Sequence, residues 1–161
     1  MPRFIRAEEV KAAYNEARKK YKKLPTFENM NNEFEIIRTE YPEFILRECR
    51  RVVMHVLQSC ANNLQPIFNP HPQDPHSMVE AAAFSKDEKQ NMFVLYKQFW
   101  YWIHTGLEVG TGAEKDEVDF LVNSYKAWPK LKKEYGKILA KVTKEWKKKE
   151  TKSKEDKGYL G

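Results

Sequence analysis

Residues 45–64, ILRECRRVVMHVLQSCANNL, decide the fold class of this chain. Apolar side chains recur there at three- and four-residue steps, and at about 100° per residue seven of them fall within about 120° of arc. These seven are Ile45, Cys49, Val52, Val53, Val56, Cys60 and Leu64. Such a stripe is typical of an α-helix that buries one face. Pro42 suits the first turn and Pro66 the end, so the pattern predicts a helix over about 42–64.

Helical periodicity continues on both sides of this stretch, and no segment shows sustained strand-like alternation. The predicted helices cover about 6–23, 26–41, 42–64, 78–84, 86–109, 114–127 and 129–149. Ser85 and Glu88 have the spacing of a capping box, whereas Trp128-Pro129 predicts a break or a kink. Residues 65–76 contain four prolines and predict a loop. We therefore expect an all-α, single-domain bundle of six to seven helices over 1–150, with one proline-rich loop, and a polar, lysine-rich tail over 151–161.

The helix over 86–109 carries the aromatic run FWYW at positions 99–102. Successive residues on a helix point about 100° apart, so these four rings cover every side of it. We expect this to be the central helix, enclosed by the others. The alternative is that one aromatic ring is exposed, where it would suit base stacking or a protein contact.

Composition places the chain among globular proteins. It has 161 residues, of which 41% are hydrophobic and 13% aromatic. The longest nearly uncharged apolar run, 99–107, is about half as long as a spanning helix requires. Cys49 and Cys60 lie eleven residues apart in one predicted helix, about 16 Å, which is too far for a disulfide. Two buried, unpaired cysteines predict a reducing, cytoplasmic location.

Charge is sorted by position. Residues 1–23 carry eight Lys/Arg and three acidic residues. Residues 24–125 carry eight Lys/Arg and fifteen acidic residues, and residues 126–161 carry thirteen lysines and five acidic residues. The net charge of +6 therefore hides two basic ends around an acidic middle. Such asymmetry bears on association and solubility rather than on fold.

The last predicted helix has two distinct faces. Its apolar side chains, which predict the buried face, are Leu131, Tyr135, Ile138, Leu139, Val142 and Trp146. Six lysines project within about 80° of one another on a separate face and extend over about 27 Å. This lysine ridge consists of Lys130, Lys133, Lys137, Lys141, Lys144 and Lys148. It would attract a polyanion such as a nucleic-acid backbone, or an acidic protein surface.

Three other interpretations of the charge and the aromatic residues stay open. The ridge can be a solvated face that keeps the helix soluble, or the basic ends can pack beside the acidic middle of the chain. The protein can also be a scaffold subunit of a larger complex, which uses the aromatic helix and the proline-rich loop as an interface.

Two histidine patterns suggest chemistry. Arg50 and His55 have the Arg-x4-His spacing that resembles HEPN-type ribonucleases, which are also helical bundles; the resemblance covers two residues and implies a catalytic His55. Arg51 stands where that motif usually has a polar residue. In the proline-rich loop, His71, Asp74 and His76 are potential metal ligands, but their spacing fits no standard site.

The expected function is therefore non-catalytic. We expect an accessory or adaptor protein that binds nonspecific RNA or a ribonucleoprotein through the lysine ridge, with Lys19, Lys20 and Lys23 of the first helix contributing. No arginine follows Arg51, and lysine lacks the planar fork that reads base edges, so phosphate contacts are favoured. No metal or cofactor is expected. A protein-only scaffold and a HEPN-like ribonuclease are the alternatives.

Overall fold

The structure is a computed structural model that describes residues 6–148. Within that range it is all-α, as predicted, with six α-helices and no strand. The helices are α1 Ala7–Lys20, α2 Phe27–Phe34, α3 Ile45–Phe68, α4 Pro75–Ala82, α5 Lys86–Val109 and α6 Glu114–Lys147. Two short 3₁₀ turns, Ile36–Arg38 and Pro42–Phe44, connect α2 to α3. The predicted tail over 151–161 lies outside the described residues.

Side-chain caps fix the starts of three helices. The Thr26 hydroxyl accepts a hydrogen bond from the Asn29 backbone N–H and begins α2. The Asp74 carboxylate accepts two backbone N–H groups at the start of α4. At the start of α5 the capping box is confirmed, because the Ser85 hydroxyl accepts from the Glu88 N–H while the Glu88 carboxylate accepts from the Ser85 N–H. These are the signals by which sequence specifies where a helix begins.

The central helix is α3, so the prediction that the aromatic helix is central was wrong. α3 packs against α1, α2, α4, α5 and α6, whereas α5 packs mainly against α3 and α6. Cys49, Val53 and Leu57 are almost completely buried on α3. Both cysteines are free and buried, as predicted, and burial raises the pKa of the Cys60 thiol to about 11.

A buried ion pair joins α3 to α6. The Arg50 guanidinium donates from Nε to the Glu117 carboxylate at 2.7 Å and from Nη1 to the Gly106 carbonyl of α5 at 2.9 Å. The side chains of Arg50 and Glu117 are only 8% and 12% exposed. Three helices therefore meet at a single guanidinium group, which fixes α5 and α6 relative to α3.

Two prolines lie inside helices rather than ending them. α3 continues through Pro66 to Phe68, so the irregular loop is shorter than predicted. Trp128-Pro129 predicted a break or a kink; the break does not occur, because α6 continues through Pro129 and the predicted sixth and seventh helices are one. Trp128 and Leu131 are both buried on either side of Pro129. Burying two such side chains contributes about 3–6 kcal/mol, against about 3 kcal/mol for an internal proline.

The described part of the chain contains no helix that is both long enough and apolar enough to cross a bilayer.

The predicted buried face of the last helix is confirmed at Leu131 and Val142, but Leu139 is 40% exposed and Trp146 is 49% exposed. The second half of α6 is therefore covered by the bundle along a narrower strip than its apolar pattern indicates.

Candidate functional site

The lysine ridge forms one long exposed edge of α6. Residues 126–148 contain nine lysines and two glutamates. The core contacts of this half of α6 are made by Leu131, Tyr135, Ile138 and Val142. The ridge lies on another side of the helix, and all six of its lysines are exposed or half-buried. Because α6 is one helix and not two, the ridge is continuous with Lys126, which lies one turn before Lys130.

Half of the ridge is paired with acidic groups. Lys137 bonds Glu134 at 3.0 Å within α6, and Lys148, the residue that follows α6, bonds Glu145 at 2.6 Å. Lys141 reaches across to α5, where its ammonium group lies 2.5 Å from Glu88.

The other half of the ridge carries uncompensated charge. Among residues 6–148, no acidic partner is found for Lys130, Lys133 or Lys144, and all three are exposed. These three lysines provide the ridge's free positive charge.

The predicted N-terminal contributors lie elsewhere. Lys20 bonds Glu114 at 2.7 Å and Lys23 bonds Asp119, so both approach the beginning of α6. Lys130 is eleven residues beyond Asp119, which is about 16 Å along the helix. Lys19 bonds Glu16 within α1. The structure thus brings the first basic segment to the opposite end of α6 from most of the ridge, and pairs it with the acidic middle of the chain.

A groove runs between α5 and α6 alongside the ridge. One section, of about 430 Å³, lies between Phe84 and Gln98 and contains apolar floor residues such as Leu95 and Ile138. The next section, of about 530 Å³, extends to Tyr101 and Trp102. Val94, Gln98 and Lys130 line both sections, so the groove is continuous. Its lysines are Lys97, Lys126, Lys130, Lys137 and Lys141.

Tyr101 is the exposed aromatic residue at the end of this groove. It is 63% exposed, and its ring lies edge-on to Trp102 with centroids 5.3 Å apart. The prediction that the helix is enclosed was therefore wrong, and the alternative of an exposed ring holds. The sequence carries a signal for this, because four adjacent aromatics cannot all face the two helices that α5 contacts.

A second aromatic surface of α5 was not predicted. Phe93 and Tyr96 are stacked, Trp100 packs edge-on against Tyr96, and the row of neighbouring rings continues to His104. Phe68, just beyond Pro66 on α3, packs edge-on against both Phe93 and Tyr96. Phe93 remains 44% exposed. The continuation of α3 past Pro66 is what completes this surface, so sequence reasoning that ended the helix at Pro66 missed it.

Electrostatics at the helix contacts favour ionised carboxylates. A hydrogen bond from Lys141, assisted by the Ser85 backbone N–H, lowers the pKa of Glu88. Lys20 and Tyr21 lower the pKa of Glu114, and Lys23 lowers that of Asp119. Each of these lysines is joined to its carboxylate across two helices or across a loop and a helix, so each pair ties separate elements of the bundle.

The residues of the HEPN-like spacing lie on different sides of α3. Arg50 is buried in its ion pair with Glu117, whereas His55 is exposed. Five residues on a helix separate two side chains by about 140°. The structure does not bring the two groups together, and the Arg50 guanidinium is already occupied by Glu117 and Gly106.

The proline-rich loop has structural contacts of its own. Asp74 caps α4, and His71 Nδ1 accepts a hydrogen bond from the Gln73 backbone N–H. The His76 ring packs against Trp146 of α6, whose indole N–H donates to Glu80 at 3.1 Å. Within residues 6–148, no cluster of three or more His, Cys, Asp or Glu side chains is arranged to hold a metal ion.

The chain shows no significant similarity to any protein-family model, curated protein or solved structure.

Proposed function

We propose that this protein binds nucleic acid, with RNA as the leading class, through contacts between the lysine ridge and the phosphate backbone. The observation that supports this proposal is the row of three exposed lysines, Lys130, Lys133 and Lys144, that lack an acidic partner in the described part of the chain. In the first basic segment, by contrast, Lys11, Lys19, Lys20 and Lys23 are each paired with a carboxylate. Uncompensated cations in a row along a rigid helix attract a polyanion and are released from it by salt.

The chemistry of the ridge favours backbone contacts over base reading. α6 contains lysine but no arginine. An ammonium group is a hydrated point charge, whereas bidentate recognition of guanine requires the guanidinium fork. The proposed role is therefore nonspecific, as in an accessory or adaptor protein of a ribonucleoprotein assembly.

Two charge-matched triple variants test the proposal. The ridge variant is Lys130→Gln/Lys133→Gln/Lys144→Gln, and its control is Lys19→Gln/Lys20→Gln/Lys23→Gln, which removes the same net charge from paired lysines. Binding to a mixed RNA and DNA pool is measured as a function of salt. For single strands each lost phosphate contact lowers the salt slope by about 0.7, so we expect the ridge variant to lose about 2 from the slope and the control to keep it.

Two results would count against the proposal. One is the absence of binding by the folded wild-type protein at low salt. The other is an equal loss of affinity in the two variants, which would mean that net charge and not the ridge determines binding.

A protein-only scaffold is the second candidate, and the aromatic surface of α5 favours it. Phe93, Tyr101 and Leu107 are 44–63% exposed on one helix. Exposed aromatic side chains are enriched at the centres of protein interfaces. Under this alternative, association with a partner would survive nuclease treatment and would be lost in Phe93→Ala but not in the ridge variant.

A further inference from the structure

The Tyr101 end of the groove combines two chemistries in one concave surface. Lys126 and Lys130 of α6 lie on one wall, and Tyr101 and Lys97 of α5 lie on the other. Trp102 is half-buried and supports the Tyr101 ring from its edge. Because Tyr101 is 63% exposed, packing within the described bundle does not explain a large aromatic ring at this position.

We infer that this groove takes a single strand of nucleic acid, with its phosphates along the lysines and a base stacked on Tyr101. The inference rests on the proposed function and specifies its substrate class. Duplex bases are already stacked and paired, so only an unpaired base offers a free face to an aromatic ring. Charge complementarity comes from the five groove lysines, which outnumber the two groove acids, Glu88 and Glu134.

The dimensions fit a short strand. Lys126 and Lys141 are fifteen residues apart on α6, which is about 22 Å. Over this length the lysines recur at every turn or second turn of the helix, while the floor stays apolar with Leu95, Leu131 and Ile138. A positively charged groove with an aromatic side chain available for stacking is the combination that single-strand binding proteins use.

The inference also predicts that the groove has little specificity for the sugar or the base sequence of the bound strand. Neither an ammonium group nor a tyrosine ring distinguishes ribose from deoxyribose, because that distinction requires contacts to the 2′-hydroxyl. Every base has an aromatic face, so stacking is tolerant of sequence. We therefore expect single-stranded RNA and DNA of one length to bind with affinities within a few-fold of each other.

The experiment compares Tyr101→Ala, Tyr101→Phe and Tyr41→Ala on three probes. The probes are an oligouridine of about 12 nucleotides, a duplex RNA of equal length, and polyglutamate as an anion that cannot stack. Tyr41 is a matched control, since it is 50% exposed but lines neither section of the groove. We expect Tyr101→Ala to weaken oligouridine binding by about 5- to 150-fold, with duplex binding changed by less than about twofold. Tyr101→Phe should restore most of the loss, and Tyr41→Ala should bind like the wild type.

The other outcomes separate this inference from the proposed function. Ridge-dependent binding that is equal for duplex and single strand and insensitive to Tyr101→Ala would overturn the inference and leave the proposed function standing. Polyglutamate that competes as well as oligouridine at equal charge would also overturn it, because the groove would then recognise charge alone. Failure of every nucleic-acid probe to bind the folded protein would overturn both this inference and the proposed function.

Discussion

Arg50 is the charged side chain on which the junction of α3, α5 and α6 depends. It is buried, and its donors are shared between the Glu117 carboxylate and the Gly106 carbonyl. Its position could not be predicted from the sequence, because Arg50 stands beside Arg51 and near Arg47, and those two are exposed. Burial of a charge is decided by its partner, which here lies 67 residues further along the chain.

Arg50→Met should lower the free energy of unfolding by about 3–5 kcal/mol, because Glu117 would be left as a buried charge without a partner. The double variant Arg50→Met/Glu117→Leu should recover much of this loss, since two apolar side chains need no compensation. Urea unfolding measures both. The control is Arg38→Met, which removes an exposed ion pair with Glu35 and should cost about 0–1 kcal/mol. Equal effects of Arg50→Met and Arg38→Met would show that the buried pair is not a structural constraint.

At the scale of the helices, the sequence specified beginnings better than ends. Ser85 is recognisable as a cap from the sequence because its chemistry is local, within three residues. The break that Pro129 allows does not occur, because the cost of the proline is local whereas the contacts that compensate for it are distant in sequence. Trp128 donates its indole N–H to Glu33, 95 residues away, at 2.6 Å, and Lys132 donates to the same carboxylate. Those contacts hold α6 as one helix through the proline and give the lysine ridge its continuity.

Gly136 weakens α6, because glycine is a poor helix former and no neighbouring group requires a residue without a side chain at this position. A Cβ atom added there would have no neighbour within 4 Å. Gly136→Ala should therefore raise the free energy of unfolding by up to about 1 kcal/mol and the Tm by about 2–4 °C, without touching the groove. Thermal unfolding tests this against Gly106→Ala as control. A Cβ at Gly106 would lie 2.6 Å from Met54 Sδ and 3.1 Å from Phe120 Cζ, so that variant should show no gain. A gain at position 106 as large as at 136 would contradict this packing argument.

At the scale of the whole molecule, the sequence predicts the charge pattern but not where the charged segments lie in space. The sequence predicted two basic ends around an acidic middle, and it allowed either a joint basic surface or neutralisation within the bundle. In the structure each alternative applies to one end of the chain: lysines of the first basic segment are neutralised within the bundle, whereas lysines of the ridge stay exposed. Lys20 and Lys23 face Glu114 and Asp119, while Lys130, Lys133 and Lys144 face solvent. The difference follows from which helix each end packs against, and α1 packs on α3 and the 3₁₀ turns rather than along the second half of α6.

The same arrangement predicts how stability depends on pH. Lysines lower the pKa values of Glu33, Glu114 and Asp119 below their ordinary values of 4.5 for Glu and 3.8 for Asp. In the unfolded chain these groups therefore bind protons at a higher pH than in the folded one. Their stabilising contribution is fully present above about pH 4.5 and is lost as the pH falls through the lowered folded-state values.

The acid dependence can be assigned to these pairs with two variants of equal charge. Lys20→Gln/Lys23→Gln/Lys132→Gln removes the partners of Glu114, Asp119 and Glu33, whereas Lys130→Gln/Lys133→Gln/Lys144→Gln removes lysines without an acidic partner in the described residues. We expect the urea midpoint of the first variant to fall less steeply between about pH 6 and pH 3 than that of the second. Salt should narrow the difference, because these pairs are largely exposed. Equal slopes in the two variants would show that overall charge repulsion, and not the pairing of α1, α2 and α6, governs acid unfolding.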